Sequence, residues 1–157
     1  GHMEKLKEFR GIKEHLGVFR EAVKDAERIG FAGVPGVCTP FAQLFAYAVR
    51  DKDNIFIPNT DFSKARKLEV TEYGVELGEI SPGNVDVLVL LGGLSMPGIG
   101  SDIEDVKKLV EDALEEGGEL MGLCYMDMFA RAGWYELLDF DCVINADIDG
   151  YVLRGGS

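Results

Sequence analysis

The seven residues Val85-Asp86-Val87-Leu88-Val89-Leu90-Leu91 form an almost wholly apolar run that Gly92-Gly93 brings to a stop. A strand with one wet face alternates polar and apolar side chains. A continuous apolar run is expected of a strand buried on both faces, and that burial requires a parallel sheet covered by helices above and below. The run therefore predicts a mid-sheet position and an α/β fold.

The rest of the chain alternates strands and helices around it. The spacing of Leu16, Phe19, Val23 and Ala26 predicts a helix over 16–26, followed by a strand over Arg28–Val34. Pro35-Gly36-Val37-Cys38-Thr39-Pro40 breaks that strand and starts a helix, with Thr39 as N-cap and Pro40 at the first helical position. Phe41, Leu44, Phe45, Ala48 and Val49 supply its packing stripe. A short strand over Asn54–Pro58 comes next. A brief helix after Thr60-Asp61 then leads into Lys67–Leu77, which alternates as a half-exposed strand or a hairpin broken at Gly74.

Beyond the central strand, Ser101 or Asp102 caps a helix with Ile103, Val106, Leu109, Val110, Ala113 and Leu114 on one stripe, ended by Gly117-Gly118. Glu119–Cys124 is the next strand and 126–132 a short helix. Cys142–Ile148 is expected to pair with Tyr151–Arg154 across Asp149-Gly150, a strong hairpin turn signal. The expected architecture is a three-layer α/β/α fold. It has a mainly parallel, doubly wound sheet of Rossmann-like or flavodoxin-like type and a C-terminal antiparallel hairpin. Gly1 and His2 read as a tag remnant, leaving 3–157 as a single α/β domain.

A net charge of −12 argues against nucleic acid as a partner, because binding to phosphates rests on Lys and Arg releasing counterions. The acidic residues are spread along the helices, as on a solvated surface. No stretch approaches the roughly 20 apolar residues of a membrane span, and Met3-Glu4-Lys5-Leu6-Lys7-Glu8 lacks the apolar core of a secretory signal. A soluble cytoplasmic protein without a membrane partner is expected. Three cysteines without Cys-x-x-Cys spacing fit reduced thiols. Abundant Glu and Lys beside the single glutamine, Gln43, suggest a heat-adapted source.

Ligands of doubly wound sheets bind beyond the carboxyl ends of the strands, where strand order reverses. If the first strand lies beside the Val85–Leu91 strand, three loops meet there: Gly33–Pro40, Gly92–Gly100 and Cys124–Asp127. In the first loop, Gly33 and Gly36 admit close backbone approach. The helix start near Cys38 and Thr39 favours an anion, so a small anionic or nucleotide-like ligand is expected. The same loop also reads as a tight structural turn. It matches neither the Walker lysine motif nor G-x-G-x-x-G, and no basic residue falls within it. The second loop, with four glycines in nine positions, offers Gly92, Gly93 and the hydroxyl of Ser95 as ligand contacts, although glycines also simply end strands.

The third loop places Cys124 at a strand-to-helix turn, with Tyr125 beside it as a further ligand contact. A thiolate is stabilised at a helix N-terminus, which makes Cys124 a candidate nucleophile; the bland alternative is a buried or pocket-lining thiol. The Gly92-Gly93 strand end, the helix after it and Gly122-Leu123-Cys124 resemble the nucleophile half of class I glutamine amidotransferases and ThiJ/PfpI-like proteins, over about Val85–Gly133. Met126 stands where that family's elbow has its second glycine, and no histidine follows Cys124. His15 would have to act from the N-terminal helix. Cys38 and Cys124 both follow predicted strand ends, which offers them as a redox pair or as soft-metal ligands. Two thiols without further ligands make no metal site, and none is expected.

A broader resemblance runs through Pro35-Gly36-Val37-Cys38-Thr39-Pro40-Phe41 and on through Leu44-Phe45-Ala46-Tyr47-Ala48-Val49-Arg50. There the chain is similar to an uncharacterised family found mainly in methanogenic archaea. That resemblance implies an archaeal cytoplasmic protein with a three-layer fold and assigns no activity, cofactor or site residue. Three functional readings follow: a small-ligand binding module, a thiol enzyme using Cys124 or Cys38, and a homodimer or other interaction protein docking through the terminal hairpin or exposed aromatics such as Trp134 and Tyr135.

Overall fold

The computed structural model describes residues 2–156. Gly1, half of the expected tag remnant, lies outside the described residues. Seven strands form one sheet in the order β4-β3-β2-β1-β5-β6-β7. The parallel strands are β1 (Arg28–Gly33), β2 (Asp53–Pro58), β5 (Val85–Leu91), β6 (Leu114–Tyr125) and β7 (Cys142–Ala146). Strands β3 (Arg66–Thr71) and β4 (Gly74–Ile80) run antiparallel at the β2 edge. The fold is thus the expected mostly parallel α/β sheet, with its antiparallel pair at the β2 edge.

β5 occupies the middle of the sheet between β1 and β6, with every residue but Asp86 buried. From Val87 onward its side chains alternate between two apolar layers, after an irregularity between Val85 and Val87. Val87, Val89 and Leu91 join Phe19, Phe31 and Phe45 under α1 (Gly11–Ala22) and α2 (Thr39–Ala48). Val85, Leu88 and Leu90 join Val106, Leu109 and Phe129 under α3 (Ile103–Ala113), α4 (Met128–Arg131) and α5 (Trp134–Leu137). Asp86 is the exception for a reason. Its two carboxylate oxygens accept from the backbone N–H groups of Glu27 and Arg28, at 2.9 and 2.8 Å, and so fix the register of β5 on β1. At the same end, Arg28 pairs with Asp53 and donates to Ser81 O at 2.7 Å, tying β2 and the β4–β5 link to β1.

The helix ends follow local chemistry. Helix α3 is capped by Asp102, which accepts from Glu104 N–H at 3.0 Å. Helix α1 begins earlier than its apolar stripe suggests, because Glu14 receives the Arg10 N–H at 2.9 Å and satisfies a first-turn donor. On α2 the buried stripe is Ala42, Phe45, Ala46 and Val49, while Phe41 and Leu44 are partly exposed. The small Ala42 and Ala46 let the helix sit close to the sheet and turn Phe41 toward the strand ends.

The predicted C-terminal hairpin does not form. β7 is parallel to β6, and no strand follows Ala146 among the described residues. After Ala146 the chain turns back over the strand ends instead: Ile148 N–H donates to Met126 Sδ at 3.3 Å, and Tyr151, Val152 and Leu153 stand in solvent. The antiparallel pair lies at the opposite edge, where Lys67–Leu77 forms the hairpin that its break at Gly74 (φ +110) allows. Gln43 of α2 donates to Val75 O at 2.9 Å and anchors that hairpin to the helix layer.

Candidate functional site

Strand order reverses between β1 and β5: the chain leaves β1 for β2 on one side, and β5 continues to β6 and β7 on the other. The loops after β1, β5 and β6 meet at this point, as expected for a doubly wound sheet. They enclose an open crevice of about 190 Å³. The first loop and the start of α2 contribute Val37, Cys38 and Phe41, the second loop Gly92, Gly93 and Met96, and the end of β6 and start of α4 Tyr125 and Met128; Leu91, Leu123 and Ile148 complete the lining.

Of the residues singled out in the sequence, Cys38, Gly92, Gly93 and Tyr125 line this crevice. Gly33 and Gly93 act by close packing. A Cβ on Gly93 would collide with Cys38 Sγ, and one on Gly33 with Cys38 Cβ. Two glycines therefore let the thiol sink to the crevice floor, where it is 3% exposed. Gly36 does something different: its φ of +83 makes the tight turn, and its missing side chain faces open space.

The first loop is closed on itself. Gly36 N–H donates to Thr39 Oγ1 at 3.0 Å and Cys38 N–H to Val34 O at 2.7 Å, while Pro40 has no N–H. Cys38, not Thr39, is the N-cap residue. Thr39 lines a second hollow of about 370 Å³ with Pro35, Phe56, Leu77, Lys64 and Arg66. Both cations there are engaged, Lys64 with Asp61 at 3.7 Å and Arg66 with Gly78 O at 2.9 Å. Ser95 is likewise used internally, donating to Gly92 O at 2.8 Å.

Cys124 does not sit at a strand-to-helix turn. It is the last but one residue of β6, fully buried on the face opposite the crevice lining, in the layer under α3 and α4. Its thiol donates to Asn145 Oδ1 at 3.5 Å, and that oxygen also receives Asp127 N–H at 2.8 Å. Strand alternation explains the difference, because Leu123 and Tyr125 line the crevice and the residue between them must point away. The same alternation separates Cys124 from Cys38, which belongs to the other apolar layer, so the two do not form a redox pair. The turn falls at Met126 and Asp127, both left-handed at φ 55 and 56. Trp134 is also buried, stacked on Phe129 at 5.4 Å between centroids, and is no exposed docking aromatic.

The hydroxyl of Tyr125, among the described residues the one in the crevice lining with a side-chain oxygen or nitrogen, is paired with a residue far away in sequence. His15 on α1 is 4% exposed, and its Nε2 lies 3.0 Å from the Tyr125 hydroxyl. Its ring is stacked on Phe9 at 5.0 Å and edge-on to Phe45 at 4.9 Å, and its Nδ1 has no hydrogen-bond partner. Burial lowers the pKa of His15 and raises that of Tyr125 to about 12, so at neutral pH both are uncharged. Among the described residues, no cluster of three or more His, Cys, Asp or Glu side chains is arranged to hold a metal ion.

Two measurements follow from this electrostatics. In the unfolded chain His15 gains its proton near pH 6.5, whereas burial holds the folded ring neutral to lower pH. Its contribution to stability is therefore whole above pH 6.5 and is lost as pH falls from there through the folded value. Urea unfolding from pH 7.5 to 5 should show a stability decline that is shallower in His15→Gln; equal slopes would place the titration elsewhere. Burial also raises all three thiol pKa values, with nearby acidic groups adding to the effect at Cys142 and Cys124. Iodoacetamide at pH 7 should alkylate native protein more slowly than free cysteine and reach Cys124 only on unfolding. Rapid labelling of Cys124 in the native state would contradict this assignment.

Residues 10–149 match the family described as "Uncharacterized protein conserved in archaea (DUF2124)". The uncharacterised protein MJ1183 of Methanocaldococcus jannaschii is 39% identical over 150 residues, covering 94% of this chain and 89% of its own. A crystal structure described as a protein of unknown function from Methanothermobacter thermautotrophicus is 99% identical, with a TM-score of 0.97 over 99% of this chain and 100% of that one. Both relatives come from methanogens, in line with the resemblance read from the loop after β1. The chain belongs to this archaeal family, DUF2124.

Proposed function

We propose that the crevice beyond β1, β5 and β6 binds a small organic molecule. The observation that carries this reading is the hollow itself, at the topological switch point where such sheets take their ligands. The strained turn at its lip adds support. Left-handed backbone at two successive non-glycine residues, Met126 and Asp127, costs on the order of 1–3 kcal/mol each and is retained mainly where it serves a site.

The lining favours an apolar ligand over an anionic or nucleotide-like one. Among the described residues lining the crevice none is basic, and only Tyr125 carries a side-chain oxygen or nitrogen. Its volume is below the roughly 300 Å³ at which pockets for drug-sized ligands begin. It is nearer the roughly 150 Å³ apolar cavity that holds benzene. A thiol enzyme of amidotransferase type using Cys124 gains no support from a thiol buried on the other face of β6.

Thermal unfolding against small aromatic molecules, nucleotides and phosphorylated metabolites tests the reading. At a hundredfold excess over Kd, a ligand of the native state should add about 2.7 kcal/mol, a rise of roughly 5–10 °C for a chain of this length. The small aromatics should produce it, and Val37→Trp, which fills the crevice from its solvent side, should remove it. A rise from nucleotides alone would restore the anionic reading, and no rise from any class would end the proposal.

A second, compatible reading is self-association. Tyr151, Val152 and Leu153 are 85%, 94% and 84% exposed, three consecutive apolar side chains without cover in one copy of the chain. Sedimentation of a chain ending at Gly150 should show fewer subunits per particle than the full chain; an unchanged number of subunits would remove this reading.

A further inference from the structure

His15 determines what the Tyr125 hydroxyl can offer a ligand. A neutral imidazole carries one N–H, and His15 has one partnered nitrogen, Nε2, and one buried nitrogen without a partner, Nδ1. A proton on Nδ1 would leave a buried N–H donor without an acceptor, a rarer and costlier defect than an unsatisfied lone pair. A proton on Nε2 is accepted by Tyr125 Oη at 3.0 Å and leaves only a lone pair unsatisfied at Nδ1. The Nε2–H tautomer is therefore favoured. Tyr125 then accepts from His15, and its own O–H remains free to donate.

That donor belongs to a crevice residue whose surroundings are apolar and rich in sulfur and aromatic rings. Phe41 lies 5.0 Å from the Tyr125 ring, and Cys38, Met96 and Met128 bring three sulfur atoms to the lining. Sulfur atoms near an aromatic ring edge are favourable contacts, and methionines adapt to the ring they meet. A charged group would lose its hydration here without meeting an opposite charge. We propose that the crevice takes an uncharged, single-ring aromatic molecule bearing one hydrogen-bond acceptor, such as an aryl ketone, with Tyr125 donating to the acceptor and His15 holding the hydroxyl in that orientation.

This assignment rests on the crevice being a binding site, and the test separates the two. Wild-type protein is titrated by ligand-observed NMR with acetophenone, with cumene, which has the same number of heavy atoms and no acceptor, and with benzoate, which has acceptors and a charge. Val37→Trp serves as the occluded control. Acetophenone should bind about three- to tenfold more tightly than cumene, the range of one net hydrogen bond. In Tyr125→Phe the two affinities should converge on the unchanged value for cumene, and His15→Phe should lose part of the preference. Equal affinities for acetophenone and cumene in wild type overturn the donor assignment and leave the crevice a binding site, whether or not Tyr125→Phe folds. Tighter binding of benzoate overturns the uncharged class. Binding of none of the three, or binding that survives Val37→Trp, overturns both this assignment and the proposed function.

Discussion

Strand β5 buries side chains on both of its faces, and the other elements are arranged to cover them. Residues 87, 89 and 91 need the α1 and α2 layer, and residues 85, 88 and 90 need the α3 and α4 layer. A strand covered on both sides must have strands on both edges too, since its backbone groups have no water to bond. β1 and β6 meet that need. Placing β1 beside β5 after the chain has already gone out to β2 and the β3–β4 hairpin makes the order reverse between them. The crevice is thus a geometric consequence of the most apolar segment in the chain.

The crevice takes its shape from close packing. Gly33 and Gly93 have no side chains, so Cys38 descends between the ends of β1 and β5 and becomes the floor. The third wall depends on the pleat of β6. Leu123 and Tyr125 face the hollow, Cys124 faces the opposite core, and the left-handed pair Met126-Asp127 turns the chain so that Met128 returns to the rim. Asn145 on β7 holds that turn by accepting Asp127 N–H. Packing and polarity are therefore set by different parts of the chain, because the partner of the Tyr125 hydroxyl, His15, comes from α1 and lies outside the crevice lining.

Much of the fold is legible in the sequence because its signals are local. The run Val85–Leu91 appears as a strand with those bounds, the Asp102 cap starts α3, and the break at Gly74 becomes the β3–β4 turn. The terminal hairpin fails on the same footing. Asp149-Gly150 is a good local turn signal, but a hairpin also needs a packed face, and Tyr151–Arg154 has none to lie on. Half of the site is legible for a related reason: Cys38, Gly92, Gly93 and Tyr125 all lie at or beyond the carboxyl ends of strands, which the fold rule brings together. Phe41, Met96 and Met128 look in sequence like ordinary helix and loop residues and carry no local mark of facing a cavity.

By itself the sequence determined that this chain forms a mostly parallel sheet with helices packed on it, and it marked the carboxyl ends of β1, β2, β5 and β6 to within a residue. The start of β6 at Leu114, ahead of Gly117-Gly118, and the end of β7 at Ala146 it did not mark. Apolar periodicity and glycine stops act over a few residues and survive without knowledge of neighbours. Only the tertiary structure decided which side chains meet beyond those ends. It put Cys124 in the far core through the two-residue alternation of β6. It brought His15 to Tyr125 across 110 positions, and it left the basic Lys64 and Arg66 beside a different hollow. Those outcomes depend on register, pleat and helix placement, which are fixed by the simultaneous packing of the two apolar layers and not by any short stretch of chain.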